Sequence, residues 1–173
     1  MRIVHKITTV AAVTATAAAT VLALGGGVAF ASPSAAAGGG APSACRPANH
    51  TAKITPAPAS SGHRHYRVTL TAAPGYAPCR LAGSPADVRF YHRGSLDPVA
   101  VGRYGSQHTA VTFGPGHPVH FDIQVPNAAP GARADEATFT LMAPGGEIPG
   151  KSSAHGALTV HAGTVVGPVQ RGA

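Results

Sequence analysis

Residues 119–125, VHFDIQV, decide the fold of this chain. Apolar and polar side chains alternate strictly here, with the period of a strand that buries one face and leaves the other in water. Phe121 and Ile123 are therefore predicted to lie in the core, and His120 and Asp122 to be exposed. Strict alternation also favours an antiparallel sheet, because the strands of parallel sheets are apolar on both faces.

The same alternation recurs along the chain on both sides of this segment. It is clear at 65–71, 87–91 and 138–142, and weaker at 52–55, 99–104, 109–113, 157–161 and 165–166. Pro and Gly separate these runs and leave no room for a convincing helix. Seven to nine short, evenly spaced strands predict an all-β fold, a single antiparallel β-sandwich of the immunoglobulin type. Further core residues are predicted to be Val68, Leu70, Val88, Phe90, Phe139 and Leu141, with Arg67 and Arg89 exposed.

The N-terminal segment predicts export. Two basic residues within Met1–Lys6 precede an uncharged apolar run, Ile7–Leu24, and the small residues Ala29 and Ala31 follow. This order is typical of a secretory signal peptide, 1–31, cleaved between Ala31 and Ser32. The alternative is a permanent membrane anchor, which five threonines in the apolar run disfavour. We therefore expect a secreted, extracytoplasmic protein with no membrane span after cleavage.

The remaining 142 residues suit one domain with two tails. Residues 32–44, SPSAAAGGGAPSA, lack periodicity and large side chains, which predicts a flexible linker. The β-sandwich is expected over 45–168, followed by a tail over 169–173.

The chain has two cysteines, Cys45 and Cys79. An even number in an exported protein predicts a disulfide between them. The alternative, two free thiols that bind metal, lacks the usual closely spaced cysteine pair.

The net charge of the chain beyond residue 31 limits the classes of partner that it is expected to bind. Eleven of the thirteen Lys and Arg lie beyond residue 31 together with all six acidic residues, which leaves a net charge of +5. The arginines are scattered along the sequence. Attraction to anionic envelope polymers or to another secreted protein fits this balance. Nucleic acid is excluded as a partner by the export signal and by the lack of an aromatic-basic motif.

One stretch resembles a known family. Residues 79–85, CRLAGSP, followed by the strand at 86–90, are similar to the C-x-L-x-G-x-P element of domain of unknown function 4232, a family of exported actinobacterial proteins. The resemblance covers roughly Cys45 to Pro168. It implies secretion and a compact β domain, and it implies no established activity. The element itself is expected to serve the fold, with Leu81 buried and Gly83 at a bend of positive φ.

The sequence contains no motif typical of a catalytic site. There is no nucleophile elbow and no phosphate loop, and the carboxylates are sparse. Histidine is enriched, and His63 and His65 have the spacing of two ligands on one strand face. A third ligand would have to come from His92, His117 or His120. We expect no catalytic residues, no cofactor and no converging metal site.

These observations favour a secreted, non-catalytic β-sandwich module for binding or cell-envelope interaction. Two other functions stay open at this point. One is an extracytoplasmic metal binder that uses the histidines, and the other is an unrecognised hydrolase.

Overall fold

A computed structural model describes residues 40–127 and 131–173. The predicted signal peptide, its cleavage site at Ala31 and Ser32, and residues 32–39 of the linker lie outside the described residues. No helix within the described residues is long and apolar enough to cross a membrane.

The regular secondary structure of the described residues is strand, as predicted for an all-β protein, apart from one 3-10 turn at Pro47–Asn49. The strands are β1 His50–Ser60, β2 His63–Ala72, β3 Cys79–Ala82, β4 Ala86–His92, β5 Ser95–Asp97, β6 Gly102–Arg103, β7 Ala110–Phe113, β8 Val119–Pro126, β9 Ala132–Thr140, β10 Met142–Ala143, β11 Gly146–Glu147, β12 Ser152–Val160, β13 Val165–Val166 and β14 Gln170–Arg171.

Ten of these strands form one mixed sheet in the order β5-β4-β9-β12-β1-β2-β8-β13-β6, with β14 also paired to β8. Two small antiparallel ladders, β3–β7 and β10–β11, complete the domain. The prediction of a purely antiparallel arrangement is wrong at two places, where β1 pairs with β12 and β13 with β6 in parallel. Both parallel contacts span only two residue pairs, too short to change the alternating pattern of the sequence.

The sheet curls around a single core instead of forming the predicted immunoglobulin-type sandwich. Phe121 on β8 and Phe139 on β9 lie four strand positions apart, about 19 Å in a flat sheet. Their ring centroids are 5.1 Å apart in an edge-to-face contact. One curled sheet therefore supplies both walls of the core, which strand alternation alone does not reveal.

Gly156 permits one part of this curl. A Cβ at this position would stand 2.3 Å from the carbonyl oxygen of Ile54 on β1. Beyond Gly156, β12 leaves β1, and the Tyr66 hydroxyl accepts a hydrogen bond of 3.0 Å from the Thr159 amide.

The predicted inner face is confirmed almost throughout. Seven of the eight residues are buried: Val68, Leu70, Phe90, Phe121, Ile123, Phe139 and Leu141. Val88 is only partly buried because it lines a groove described below. Arg89 is exposed, as predicted, and Arg67 is partly buried.

The prediction that His120 on β8 is exposed is wrong, since this residue is only 8% exposed. The C-terminal residues cover it: β14 pairs with β8, and the His120 Nδ1–H donates to the Gly172 carbonyl at 3.1 Å. The expected tail at 169–173 is thus an additional strand of the sheet, with Val169 buried. Asp122 is also largely covered, and it accepts a hydrogen bond from the Arg67 Nε at 3.3 Å.

The N-terminal boundary also differs from the expected one. Ala44 is fully buried, and its amide donates to the Ala77 carbonyl at 2.9 Å. The Ala77 amide in turn donates to Pro42 at 2.9 Å. The last residues of the expected linker over 32–44 therefore belong to the folded domain.

The C-x-L-x-G-x-P element forms a corner of the fold. Leu81 is buried in the β3–β7 ladder, and Gly83 has the expected positive φ of 72°. Gln107 holds the corner, since its Oε1 accepts from the Ser84 amide at 2.9 Å and its Nε2 donates to the Ser84 hydroxyl at 3.0 Å.

Candidate functional site

The two cysteines form the predicted Cys45–Cys79 disulfide, with Cα atoms 6.0 Å apart. Cys45 is buried next to the 3-10 turn, whereas Cys79 is only partly buried at the start of β3. The bond thus joins the N-terminal edge of the domain to the β3–β7 ladder.

A groove of about 650 Å³ opens beside this disulfide, and we call it the disulfide groove. Its volume falls within the range of pockets that bind small ligands. Its lining is mostly apolar and comes from the 3-10 turn, β3 and the segment around β10 and β11. The lining residues are Ser43, Cys45, Arg46, Pro47, Ala48, Cys79, Arg80, Ala143, Ile148 and Pro149.

Two arginines give the disulfide groove its charge. Arg46 follows Cys45 and Arg80 follows Cys79, so the disulfide brings both to one groove. Both are exposed, and neither is among the ion pairs or hydrogen-bond donors of the described side chains. The nearest acidic residue in sequence to the lining is Glu147, and it forms no ion pair with either. The groove is therefore apolar within and positively charged at two points.

His50 supports the wall behind the disulfide. Its Nδ1–H donates to the Ala44 carbonyl at 2.9 Å, its Nε2 lies 3.0 Å from the Ser152 hydroxyl, and its ring packs edge-on against Phe113. Burial lowers the pKa of His50 from its ordinary value of 6.5 and outweighs backbone hydrogen bonds that act in the opposite direction. The neutral imidazole is therefore the form that fits the folded domain.

A second groove, of about 490 Å³, lies where the two edges of the curled sheet approach each other. We call it the seam groove. One wall comes from β4 and β5 and the other from β6 and β13, and the segment 98–101 connects them. The lining residues include Val88, Arg89, Leu96, Asp97, Val101, Arg103 and Val166.

Charges in the seam groove are mixed. Asp87 is bonded to the Lys151 ammonium at 2.7 Å, and this hydrogen bond holds the pKa of the carboxyl below its ordinary value. Asp97 has one carboxylate oxygen, Oδ2, that is buried and has no hydrogen-bond partner. Arg89 and Arg103 line the same groove. Acidic and basic groups thus occur here in equal number, unlike in the disulfide groove.

The candidate metal ligands do not converge. The His65 Nε2 is hydrogen-bonded to the Ser60 hydroxyl at 2.8 Å, and the His63 Nδ1–H donates to the Ser61 carbonyl at 3.4 Å. His92 lies beside Asp135, and His120 is held by the C-terminal segment. In residues 40–127 and 131–173 there is no group of three or more His, Cys, Asp or Glu positioned to hold a metal ion.

Two Ser–His pairs occur among the described side chains, and neither of them has the arrangement of a hydrolytic site. Ser152, bonded to His50, is only 3% exposed and cannot reach a substrate. Ser60, bonded to His65, is exposed, but no acidic side chain among the described residues bonds to His65. A base without an orienting group lacks a feature that serine hydrolases use.

Sequence reasoning missed the arginines of the disulfide groove because it treated the cationic residues as scattered. The signal was present, since each cysteine is followed directly by arginine. A bond between two Cys-Arg pairs brings the backbone of the two arginines close, and here both side chains line the same groove. The apolar lining at Ile148 and Pro149 had no comparable signal, because their approach depends on the β10–β11 hairpin.

Comparison with known proteins identifies the family to which the chain belongs. Neither the curated proteins nor the solved structures gave a match. The pattern described as Domain of unknown function (DUF4232) matches residues 45–170, which include the disulfide, the Gly83 corner and the strands up to β14. Its start coincides with the expected domain start, and its end lies two residues beyond the expected one. The chain therefore belongs to the DUF4232 family.

Proposed function

We propose that the protein is a secreted, non-catalytic binding module that takes the apolar part of its ligand into the disulfide groove. The observation that carries the proposal is an open apolar groove of ligand size in a domain that otherwise covers its apolar side chains well. Leu96 is the only exposed large hydrophobic residue among the described positions. An apolar cavity left open to water is costly unless something occupies it.

The walls of the groove are held in place before any ligand binds. The disulfide fixes the side formed by Cys45 and Cys79. The other side is anchored by the Ile148 amide, which donates to the Leu141 carbonyl at 2.9 Å. A preformed site binds with less loss of conformational freedom than one that must be ordered on binding.

Export is the second part of the proposal. It rests on the signal-like order of residues 1–31 and on a disulfide, a bond that persists in oxidising compartments outside the cytoplasm. Intact mass of the protein recovered from the medium of a secreting host tests it. We expect a chain that begins at Ser32 or within a few residues of it, and a chain retained in membranes with Met1–Ala31 attached would contradict export.

Binding is tested by filling the groove. Ala48 is exposed and lines the disulfide groove, so Ala48→Phe fills the space without touching the core. A neutral dye that fluoresces in apolar surroundings reports occupancy. We expect saturable binding to the purified oxidised protein and a loss of at least tenfold in affinity for Ala48→Phe.

Ala59→Phe is the matched control, since Ala59 is an exposed alanine of β1 outside both grooves. It should bind the dye like the unaltered protein. Equal affinities for Ala48→Phe and the unaltered protein, at equal thermal stability, would overturn the disulfide groove as the binding site.

A further inference from the structure

We infer that the ligand of the disulfide groove is a single-chain amphiphile with one anionic headgroup, a carboxylate or a phosphate, and that Arg46 and Arg80 bind that headgroup. The inference rests on the proposed function, since it assumes that the groove takes the apolar chain. It adds the chemical class of the ligand and the two residues that select it.

The covalent structure brings the backbone positions of the two arginines close to each other. The Cα atoms of the bonded cysteines are 6.0 Å apart, and each arginine is one residue further along its own segment. Both side chains line the same groove. The disulfide thus fixes the two backbone positions from which both arginine side chains reach this groove.

The two guanidinium groups lack a counter-charge within the described residues. The ion pairs found there use other cations: Arg67 with Asp122, Lys151 with Asp87 and His92 with Asp135. Two like charges beside an apolar groove repel each other, and a bound anion would relieve that repulsion. The planar fork of arginine matches the two or three oxygens of a carboxylate or phosphate.

The apolar lining offers an anion without a hydrocarbon chain no polar contact beyond those of the two arginines. Pro47, Ala48, Ile148 and Pro149 offer no side-chain hydrogen-bond donor to a second charge. A polymer with many anionic groups would need a row of cations along its path. The remaining lining residues supply none: Ser43, Cys45, Cys79 and Ala143.

The experiment measures displacement of the neutral dye by three ligands of equal chain length, each below its critical micelle concentration. They are a fatty acid, a lysophospholipid with a terminal phosphate, and the uncharged fatty alcohol. We expect at least one anionic ligand to bind ten times or more tightly than the alcohol, with the preference reduced by salt. The carboxylate and phosphate arms show which of the two headgroups supplies the anion.

The test variant carries both Arg46→Gln and Arg80→Gln. Its matched control carries both Arg89→Gln and Arg103→Gln, two substitutions in the seam groove. The test variant should bind the alcohol normally and lose the preference for the anion, whereas the control should keep it. Three results would each overturn the inference and leave the proposed function standing. The unaltered protein could bind anionic and neutral ligands equally, or the control could lose the preference for the anion to the same extent. Polyphosphate, which has no hydrocarbon chain, could also displace the dye as well as the anionic ligands do. No binding of any of these ligands or of the dye would instead overturn the proposed function.

Discussion

The disulfide groove and the seam groove are similar in size, about 650 and 490 Å³, and differ in how their walls are held and charged. A covalent bond fixes the first, which is apolar and carries two arginines without acidic partners. The second lies between the edges of an open sheet, and its charges are of both signs.

The difference is the reason for proposing the disulfide groove, and not the seam groove, as the ligand site. The two carboxylates and two arginines of the seam groove balance in number, and Asp87 is already paired with Lys151, so a bound anion has less to gain there. Unbalanced charge beside a fixed apolar surface can be satisfied only from outside. Size alone does not separate the two grooves, whereas the balance of charges among their lining residues does.

The largest expected effect comes from replacing both cysteines, Cys45→Ser with Cys79→Ser. The disulfide closes a loop with a sequence separation of 34 residues. Its removal should lower the free energy of unfolding by about 3–4 kcal/mol, by the entropy of loop closure. Because the same bond fixes the wall of the disulfide groove, dye affinity should fall as well, measured under conditions where the variant is still folded.

Leu96→Ser is the matched change at the seam groove. Leu96 is half exposed, so its loss should change the free energy of unfolding by no more than about 0.5 kcal/mol and leave dye binding intact. Chemical denaturation of both variants measures the contrast. Equal losses of binding in the two would contradict the distinction between the grooves.

A smaller effect is expected for Asp97→Asn in the seam groove. The Oδ2 atom is buried without a hydrogen-bond partner, which is unfavourable for a charged oxygen. Removing the charge should raise the free energy of unfolding at neutral pH by about 1 kcal/mol and leave ligand affinity unchanged. A fall in stability would show that Arg89 or Arg103 compensates the carboxylate in solution, and the seam would then be a satisfied site.

The smallest effect concerns pH and His50. Because burial lowers the pKa of His50 in the folded state, the unfolded chain binds more protons than the folded chain once the pH drops below about 6.5. This histidine therefore makes the free energy of unfolding fall as pH decreases below that value, and it contributes no slope above it. Chemical denaturation at pH 8 and at pH 5 measures this. The free energy of unfolding should differ less between the two pH values in His50→Gln than in the unaltered protein.

His63→Gln is the control for that experiment, since His63 lies at the β1–β2 turn and not behind the disulfide. Its free energy of unfolding is measured at the same two pH values. An identical slope for the two variants would mean that His50 does not hold the wall of the disulfide groove in the neutral form.

Local features of the fold could be predicted from the sequence. Alternation at 119–125 identified Phe121 and Ile123 as buried, and the cysteine count identified the disulfide. Both depend on neighbouring residues or on simple chemistry. The positive φ at Gly83 also followed from a local motif.

Features that depend on distant contacts could not be predicted. His120 alternates like a solvent-exposed residue, but the C-terminal strand β14 covers it. The curl that joins Phe121 to Phe139 arises from the order of strands in the sheet, on which alternation carries no information. The disulfide groove could be predicted only in part. The two Cys-Arg pairs in the sequence indicate its arginines, whereas no sequence pattern indicates its apolar wall.

The central claim, that the ligand binds in the disulfide groove, is tested most directly by amide chemical-shift mapping. The anionic amphiphile that displaces the dye is titrated into isotope-labelled oxidised protein. The largest shifts should fall on Arg46, Ala48, Arg80 and Ile148, with the seam residues Leu96 and Val101 unchanged. Shifts concentrated at Leu96 and Val101, or spread evenly over the domain, would contradict the account.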